Sequence, residues 1–476
     1  MDLPPRRTLV RAATVLLVLV LLTPSAMSAA TYEETSLQPG TIESPANGST
    51  VVGIQGFHFS GQGSEKKPAR VVSASERGNP QWTYLGEEVG AAWVYDVDPL
   101  ANGNLLVVST KREQGTPLTT VYELDPETRE RVWTETLHMH DTHDVDLLPN
   151  GDLLIANMRN WNASHSRSDD RLVVYNRSTD EITWEWLFRE HYPNSTDGGF
   201  NEDWTHVNDV DRIDEHRVLA SPRNFDQVIV VNRTTDEIEM RLGADGNHEI
   251  LYEQHNPDFL VSEDGHPTIV VADSENDRVV EYERRCSGDP MDAPPADCTW
   301  ERTWEVGADS FNWPRDADRL PNGNTLITDS LNNRVVEVTP QGKIVWEFYA
   351  TWGPYDAERP AMGGSSRGPT IADQNATGSY ALSNSAGLVP GTGDRTSVEG
   401  TIRRAFTGTP LEAPGAEFAR TWAHLAPWVM PVWMTGWDLL YALLAVLVLL
   451  GWGLTEALVH RQVIRARAVA LTRRFA

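Results

Sequence analysis

Three histidines and one arginine stand where side chains can do chemistry. His143 lies in THDVDLLPNG, His206 in DWTHVNDVD, Arg223 in LASPRNF and His255 in EQHNPDF. Each sits beside the end of a predicted strand. A neutral imidazole is a good nucleophile and proton acceptor near pH 7. A guanidinium is a planar fork of donors that suits an oxyanion. Three histidines can also hold zinc with one position open, but an adjacent arginine would oppose the metal. A single histidine at a strand start is most often a surface or hydrogen-bonded residue, so the chemistry requires the four to meet.

The elements that must bring them together form a repeat. WPRDADRLPNGNTLITDSLNNRVVEVTPQGKIVWEF, at 313–348, has an Asp-bearing strand, a turn, two apolar strands and a Trp-bearing fourth. Matching copies run at 94–137, 143–188, 206–242 and 255–306, with a more degenerate one at 41–84. Turn signals such as PNG and ANG separate the strands. A period of about 40–50 residues with four strands per copy is the signature of a β-propeller. The expected fold is therefore all-β, a six-bladed propeller over residues 40–350; a β-sandwich with chance repetition is the alternative.

In a propeller blade the strands run up and down in turn, so the start of the first and the end of the second share one face. His143 stands three residues before Asp146, His255 three before Asp258, and His206 five before Asp211. A two-residue side-chain period then points all three the same way. Arg223 closes the second strand of the His206 copy, so all four are expected near the central channel. The recurring Asp96, Asp144, Asp209 and Asp316 read as structural acceptors of backbone N–H groups between blades, with a cation site as the alternative.

The chain has 476 residues and a net charge of −28. Lysine occurs only at 66, 67, 111 and 343. That balance argues against nucleic acid as a partner, because phosphate backbones need basic patches. It suits a halophile protein, whose self-repulsion salt screens. No P-loop or GxGxxG stands at a strand–helix turn, and no cofactor is expected. Cys286 and Cys298 bracket CSGDPMDAPPADC, where a disulfide is expected in an external domain and two separate thiols are the alternative.

Residues 1–30 carry Arg6, Arg7 and Arg11 before an apolar run and small residues, which reads as an export signal peptide or an uncleaved anchor. Residues 351–415, rich in Gly, Ser, Thr and Pro, read as a linker or cap. A Trp-rich juxtamembrane segment, 416–436, precedes an apolar stretch at 437–459 that is long enough to span a bilayer. A basic tail at 460–476 makes the cytoplasm the expected side of the C-terminus. The expected localisation is a single-pass membrane protein with an extracellular propeller.

At the four residues the sequence resembles the arylsulfotransferase family. HDVDLLPNG resembles its His-Asp segment before a Pro-Asn-Gly turn, DWTHVNDVD its Asp-Trp-X-His-X-Asn segment, LASPRNF its Ser-Arg strand and EQHNPDF its Gln-His segment. The resemblance implies a six-bladed propeller that moves a sulfuryl group from an aryl sulfate donor to a phenolic acceptor without a nucleotide. It implies that His255 is the nucleophile that becomes sulfohistidine, and that His143, His206 and Arg223 bind and polarise the sulfuryl oxygens. The competing function is a membrane-tethered propeller that only binds a ligand; quinoprotein-like and lactone-hydrolysing propellers are further alternatives.

Overall fold

The computed structural model describes residues 5–32, 37–57, 67–308, 310–364, 366–388 and 397–461. They belong to two compact units, Thr35–Arg395 and the combination of Met1–Glu34 with Thr396–Ala476.

The first unit is a ring of six sheets, antiparallel except for one edge strand, with a two-stranded ribbon at Trp161–Asn162 and Arg167–Ser168. The innermost strands, in blade order, are Pro354–Glu358, Ala91–Pro99, Val145–Leu147, Val207–Arg212, His255–Val261 and Pro314–Arg319. Middle strands such as Gln227–Asn232 (QVIVVN) are apolar on both faces because each blade is covered on both sides. Each neighbouring pair of blades shares its own core. Val51 and Tyr84 of blade 1 pack with Val97 and Tyr122 of blade 2. Around the ring, Trp346 and Phe348 of blade 6 pack with Val52, Val72 and Ala357 of blade 1. Outer-strand tryptophans latch successive blades: the indole N–H groups of Trp186, Trp304 and Trp346 donate to the carbonyls of Asp236, Pro340 and Glu76.

The expected domain boundary at residue 350 falls inside this ring. Pro354–Glu358 pairs with Thr50–Ile54 and is the innermost strand of blade 1. The copy at 41–84 is degenerate because its first strand comes from the far end of the unit. The expected linker or cap at 351–415 also supplies Gly378–Tyr380, which runs parallel to Cys298–Val306 on blade 5. Its last part is helical, in Val398–Phe406 and the start of Glu412–Val429. Cys286 and Cys298 are disulfide-bonded and face each other in register, so the bridge closes the base of the Pro-rich loop between them.

In the second unit two helices, Arg6–Thr31 and Gly436–Val459, are long and apolar enough to cross a membrane. A capping box between Thr435 and Asp438 starts the latter. The two run antiparallel. Arg11 is paired with Glu456 at 2.7 Å, and the Ser25 hydroxyl donates to the Asp438 carbonyl at 3.2 Å. Most of the expected basic tail, 462–476, lies outside the described residues.

Candidate active site

The four residues converge at one end of the channel, although the alternation argument fails locally. His143 lies two residues before its strand, which begins at Val145. His206 and Asn256 take left-handed backbone conformations, with φ of 40° and 35°. Bulges interrupt the ladders between Val207 and Val210 and between His255 and Asp258. The bulges, rather than a strict two-residue period, aim these side chains. Such backbone clusters at functional sites, where the surrounding fold holds it in place.

The rings of His143 and His206 meet edge to face with centroids 5.1 Å apart. Tyr355 bridges His143 and His255, with ring centroids 5.4 and 5.9 Å away. Its hydroxyl shares a 2.9 Å hydrogen bond with His143 Nδ1, and Tyr95 packs against both rings, with centroids 4.0 Å from His143 and 5.1 Å from Tyr355. Arg223 reaches the His255 segment through Glu253, 3.5 Å away, and its Nε donates to Asn224. All three imidazoles are buried.

The hydrogen bonds fix two tautomers. His255 Nδ1 contacts the Glu253 carbonyl at 3.2 Å and Ser274 Oγ at 2.8 Å. The Ser274 hydroxyl spends its proton on the Pro314 carbonyl, 2.6 Å away, so both neighbours of Nδ1 accept. Nδ1 therefore carries the hydrogen, and Nε2 keeps the lone pair. His206 Nδ1 donates to Asp203 at 2.9 Å, and His206 Nε2 is buried with no hydrogen-bond partner among the described residues.

The electrostatics agree. Burial, then the charges of Arg315 and Arg223, hold His255 well below the usual histidine range. Burial and the neighbouring His206 do the same for His143. Burial and Arg223 pull His206 down to about 3, against the opposing pull of Asp203. Burial works against the Asp203 charge, but His206 and Arg159 outweigh it and hold its carboxyl well below the ordinary value. All three imidazoles are thus neutral near pH 7, able to attack or accept a proton.

Beneath the histidines the innermost strands carry stacked acids, Asp96 and Asp98, Asp144 and Asp146, Asp209 and Asp211, Asp316 and Asp318, and Asp356 and Glu358, with Asn256 and Asp258 in blade 5. Some serve as structural acceptors between blades: Asp144 takes the Val210 N–H, Asp316 the Ala357 N–H and Asp356 the Val97 N–H. Asp96 and Asp209 each retain a buried oxygen with no hydrogen-bond partner among the described residues. Burial, with repulsion between neighbours, raises Asp96, Asp98, Asp209, Asp211, Asp316, Asp318 and Glu358 well above the carboxylate range. Burial brings Asp144 and Asp356 up to about 7.

Tyr95, Arg315 and Tyr355 also line this cluster, and no sequence motif marks them. They could have been found by register: Tyr95, His143, His255, Arg315 and Tyr355 each immediately precede the upper residue of a stacked pair. A cleft of about 610 Å³ opens beside Asp203, with Met139 and Trp161 among its walls. Its size suits a small aryl ligand.

A family model described as Arylsulfotransferase (ASST) matches residues 86–351, more than half of the chain. The chain belongs to the arylsulfotransferase family. The arylsulfotransferase match contains His143, His206, Arg223, His255 and Arg315, and it stops short of the closing strand with Tyr355. Solved structures similar to the chain include a protein of unknown function from Bacteroides caccae, at 11% identity and TM-score 0.42, covering 66% of this chain and 98% of that one. A streptogramin B lyase matches at 12% identity and TM-score 0.37, covering 69% and 89%. A putative 6-phosphogluconolactonase from Bacteroides uniformis matches at 13% and 0.38, covering 65% and 98%. No curated protein matches the chain.

Proposed function

We propose that this chain transfers a sulfuryl group from an aryl sulfate to a phenol through a sulfohistidine on His255. The observation that carries the reading is the tautomer of His255: neutral, with Nδ1–H held from behind and Nε2 free to attack. In the first half-reaction Nε2 forms a bond to sulfur while the S–O bond to the aryl group breaks, and the phenolate leaves with the electron pair. Nδ1 keeps its proton, so the sulfonated imidazole is cationic and stays a good leaving group. In the second, the acceptor phenol gives its proton to His206 Nε2, its oxygen attacks sulfur, and the N–S bond breaks. Asp203, hydrogen-bonded to His206 Nδ1, stabilises the imidazolium that forms. Arg223 and His143 steady charge on the sulfuryl oxygens.

Because His206 is neutral at the start, it has no proton to give the first phenolate. Donors should therefore be esters of acidic phenols. The deciding assay incubates the chain with 4-nitrophenyl sulfate and a second phenol in the presence of a metal chelator. Formation of the new aryl sulfate is expected. Binding of the ester without transfer would favour the non-catalytic propeller.

We also propose that both apolar helices remain as membrane anchors. The Arg11–Glu456 pair and the antiparallel packing support this reading. Arg6 and Arg7 then share the side of Arg461 and the basic tail, the cytoplasm by the positive-inside tendency, and the propeller emerges outside. The chain extracted from membranes should weigh 53.0 kDa. A mass lower by about thirty residues, the length expected of a cleaved signal, would leave one span and sink the two-anchor reading.

A further inference from the structure

We propose that Arg315 is a second guanidinium of the active site, which binds the sulfuryl oxygens of the donor together with Arg223. The substrate class rests on the sulfuryl-transfer reading. The anion site itself rests on geometry.

Arg315 occupies the same tier as His143 and His255, one residue before the upper acid of its blade. Its backbone has the same irregularity, a bulge between Pro314 and Asp316. The Pro314 carbonyl accepts from the Ser274 hydroxyl, which in turn accepts from His255 Nδ1. One short relay therefore sets the backbone of Arg315 and the tautomer of His255. The guanidinium carbon lies 4.4 Å from the Trp313 ring and 4.6 Å from the Tyr355 ring. Both rings flank His255, with centroids 6.2 and 5.9 Å away.

Its bonding sets Arg315 apart from the other buried arginines. Arg319 pairs with Glu281, Arg334 with Asp329 and Glu347, and Arg359 with Glu337. Arg284 is held by the carbonyls of Pro290, Ala293 and Glu239. Arg315 is 5% exposed and donates from Nη1 to Gln55 Oε1 at 2.6 Å. No carboxylate pairs with its guanidinium among the described residues; its Nε also has no hydrogen-bond partner there, as is true of Arg319 and Arg359. Burial lowers it only to about 10, so it stays charged at neutral pH. A buried charge without a counter-charge is unfavourable, and an anion at the site would offset it. Two planar guanidiniums match the several oxygens of a sulfuryl group better than point charges do.

Binding and turnover test this separately. The full chain with His255→Ala cannot consume 4-nitrophenyl sulfate, so its affinity for the ester can be read by calorimetry. Adding Arg315→Met should weaken binding about tenfold or more, as expected for loss of a charge-assisted contact; Arg315→Lys should recover part of it. In the chain with His255 intact, Arg315→Met should slow phenol release by about 10²–10³-fold, and added guanidinium ion should restore part of the rate in Arg315→Ala. Affinity and release rate within about twofold of the parent chains, in variants with native circular dichroism, would overturn the proposal. Weaker binding in Arg315→Met, with no phenol release from the unmodified chain, would keep the anion site and overturn transfer.

Discussion

Replacing His255 with alanine is expected to abolish phenol release, because on the sulfohistidine proposal the atom that takes the sulfuryl group is gone. The unmodified chain, mixed with excess aryl sulfate and no acceptor, should release about one equivalent of phenol in a burst, the fingerprint of a covalent intermediate. It should then carry an acid-labile group that maps to residues 254–258. In His255→Ala both burst and label vanish, and turnover falls by on the order of 10⁵–10⁶-fold, the scale seen when a nucleophile is removed. His143→Ala, His206→Ala and Arg223→Ala remove charge stabilisation or proton acceptance, so each should cost about 10²–10³-fold and leave the label on His255. The pH profile should differ too: His206 is neutral down to about 3, so no loss of activity from its protonation is expected between pH 5 and 8. A label on His143 or His206, or a burst that survives in His255→Ala, would assign the nucleophile elsewhere.

The propeller is expected to lose stability as pH rises from 6.5 to 8. In the folded ring Asp144 and Asp356 release protons near 7, and burial with mutual repulsion holds Asp96, Asp98, Asp209, Asp211, Asp316, Asp318 and Glu358 well above the carboxylate range. In the unfolded chain all of them ionise near 4. A carboxyl whose folded value is raised contributes stability that is fully present below the unfolded value and disappears as pH rises through the folded one. For each proton held more tightly by the folded state, the loss is about 1.4 kcal/mol per pH unit. The three imidazoles act in the opposite sense only below about 6.5, where the unfolded chain begins to take up protons. Lys67, lowered by burial to about 8, opposes the trend only above that value. Urea unfolding at fixed ionic strength across this window reads the slope directly. A stability that is flat or rises with pH would mean that the stacked acids are already ionised in the folded protein.

The blades were legible because each carries its own turn and its own apolar middle strands, all local signals. His143, His206, Arg223 and His255 were legible because each lies in a distinctive short segment. What was hidden depends on contacts between distant residues. Pro354–Glu358 is a short strand beside glycine and proline, and its partner Thr50–Ile54 lies about three hundred residues earlier, so nothing nearby marks it as structural. Arg315 and Tyr355 resemble ordinary strand residues until the stacked acids of the blades are aligned. Side-chain direction was the weakest inference, since the bulges at Val207–Val210 and His255–Asp258 break the two-residue period at the residues that matter. The disulfide was suggested by spacing, but its place at the base of a loop between paired strands needed the register.

The strand that closes the ring also delivers Tyr355 between His143 and His255. During synthesis it is among the last parts of the propeller to leave the ribosome, so five blades and most of the site's side chains exist before the site can. An open ring lacks the ring face against which Arg315 lies and the hydroxyl that holds His143. The chain thus ties its chemistry to its own completion, and a partly made or partly unravelled propeller presents an unassembled site.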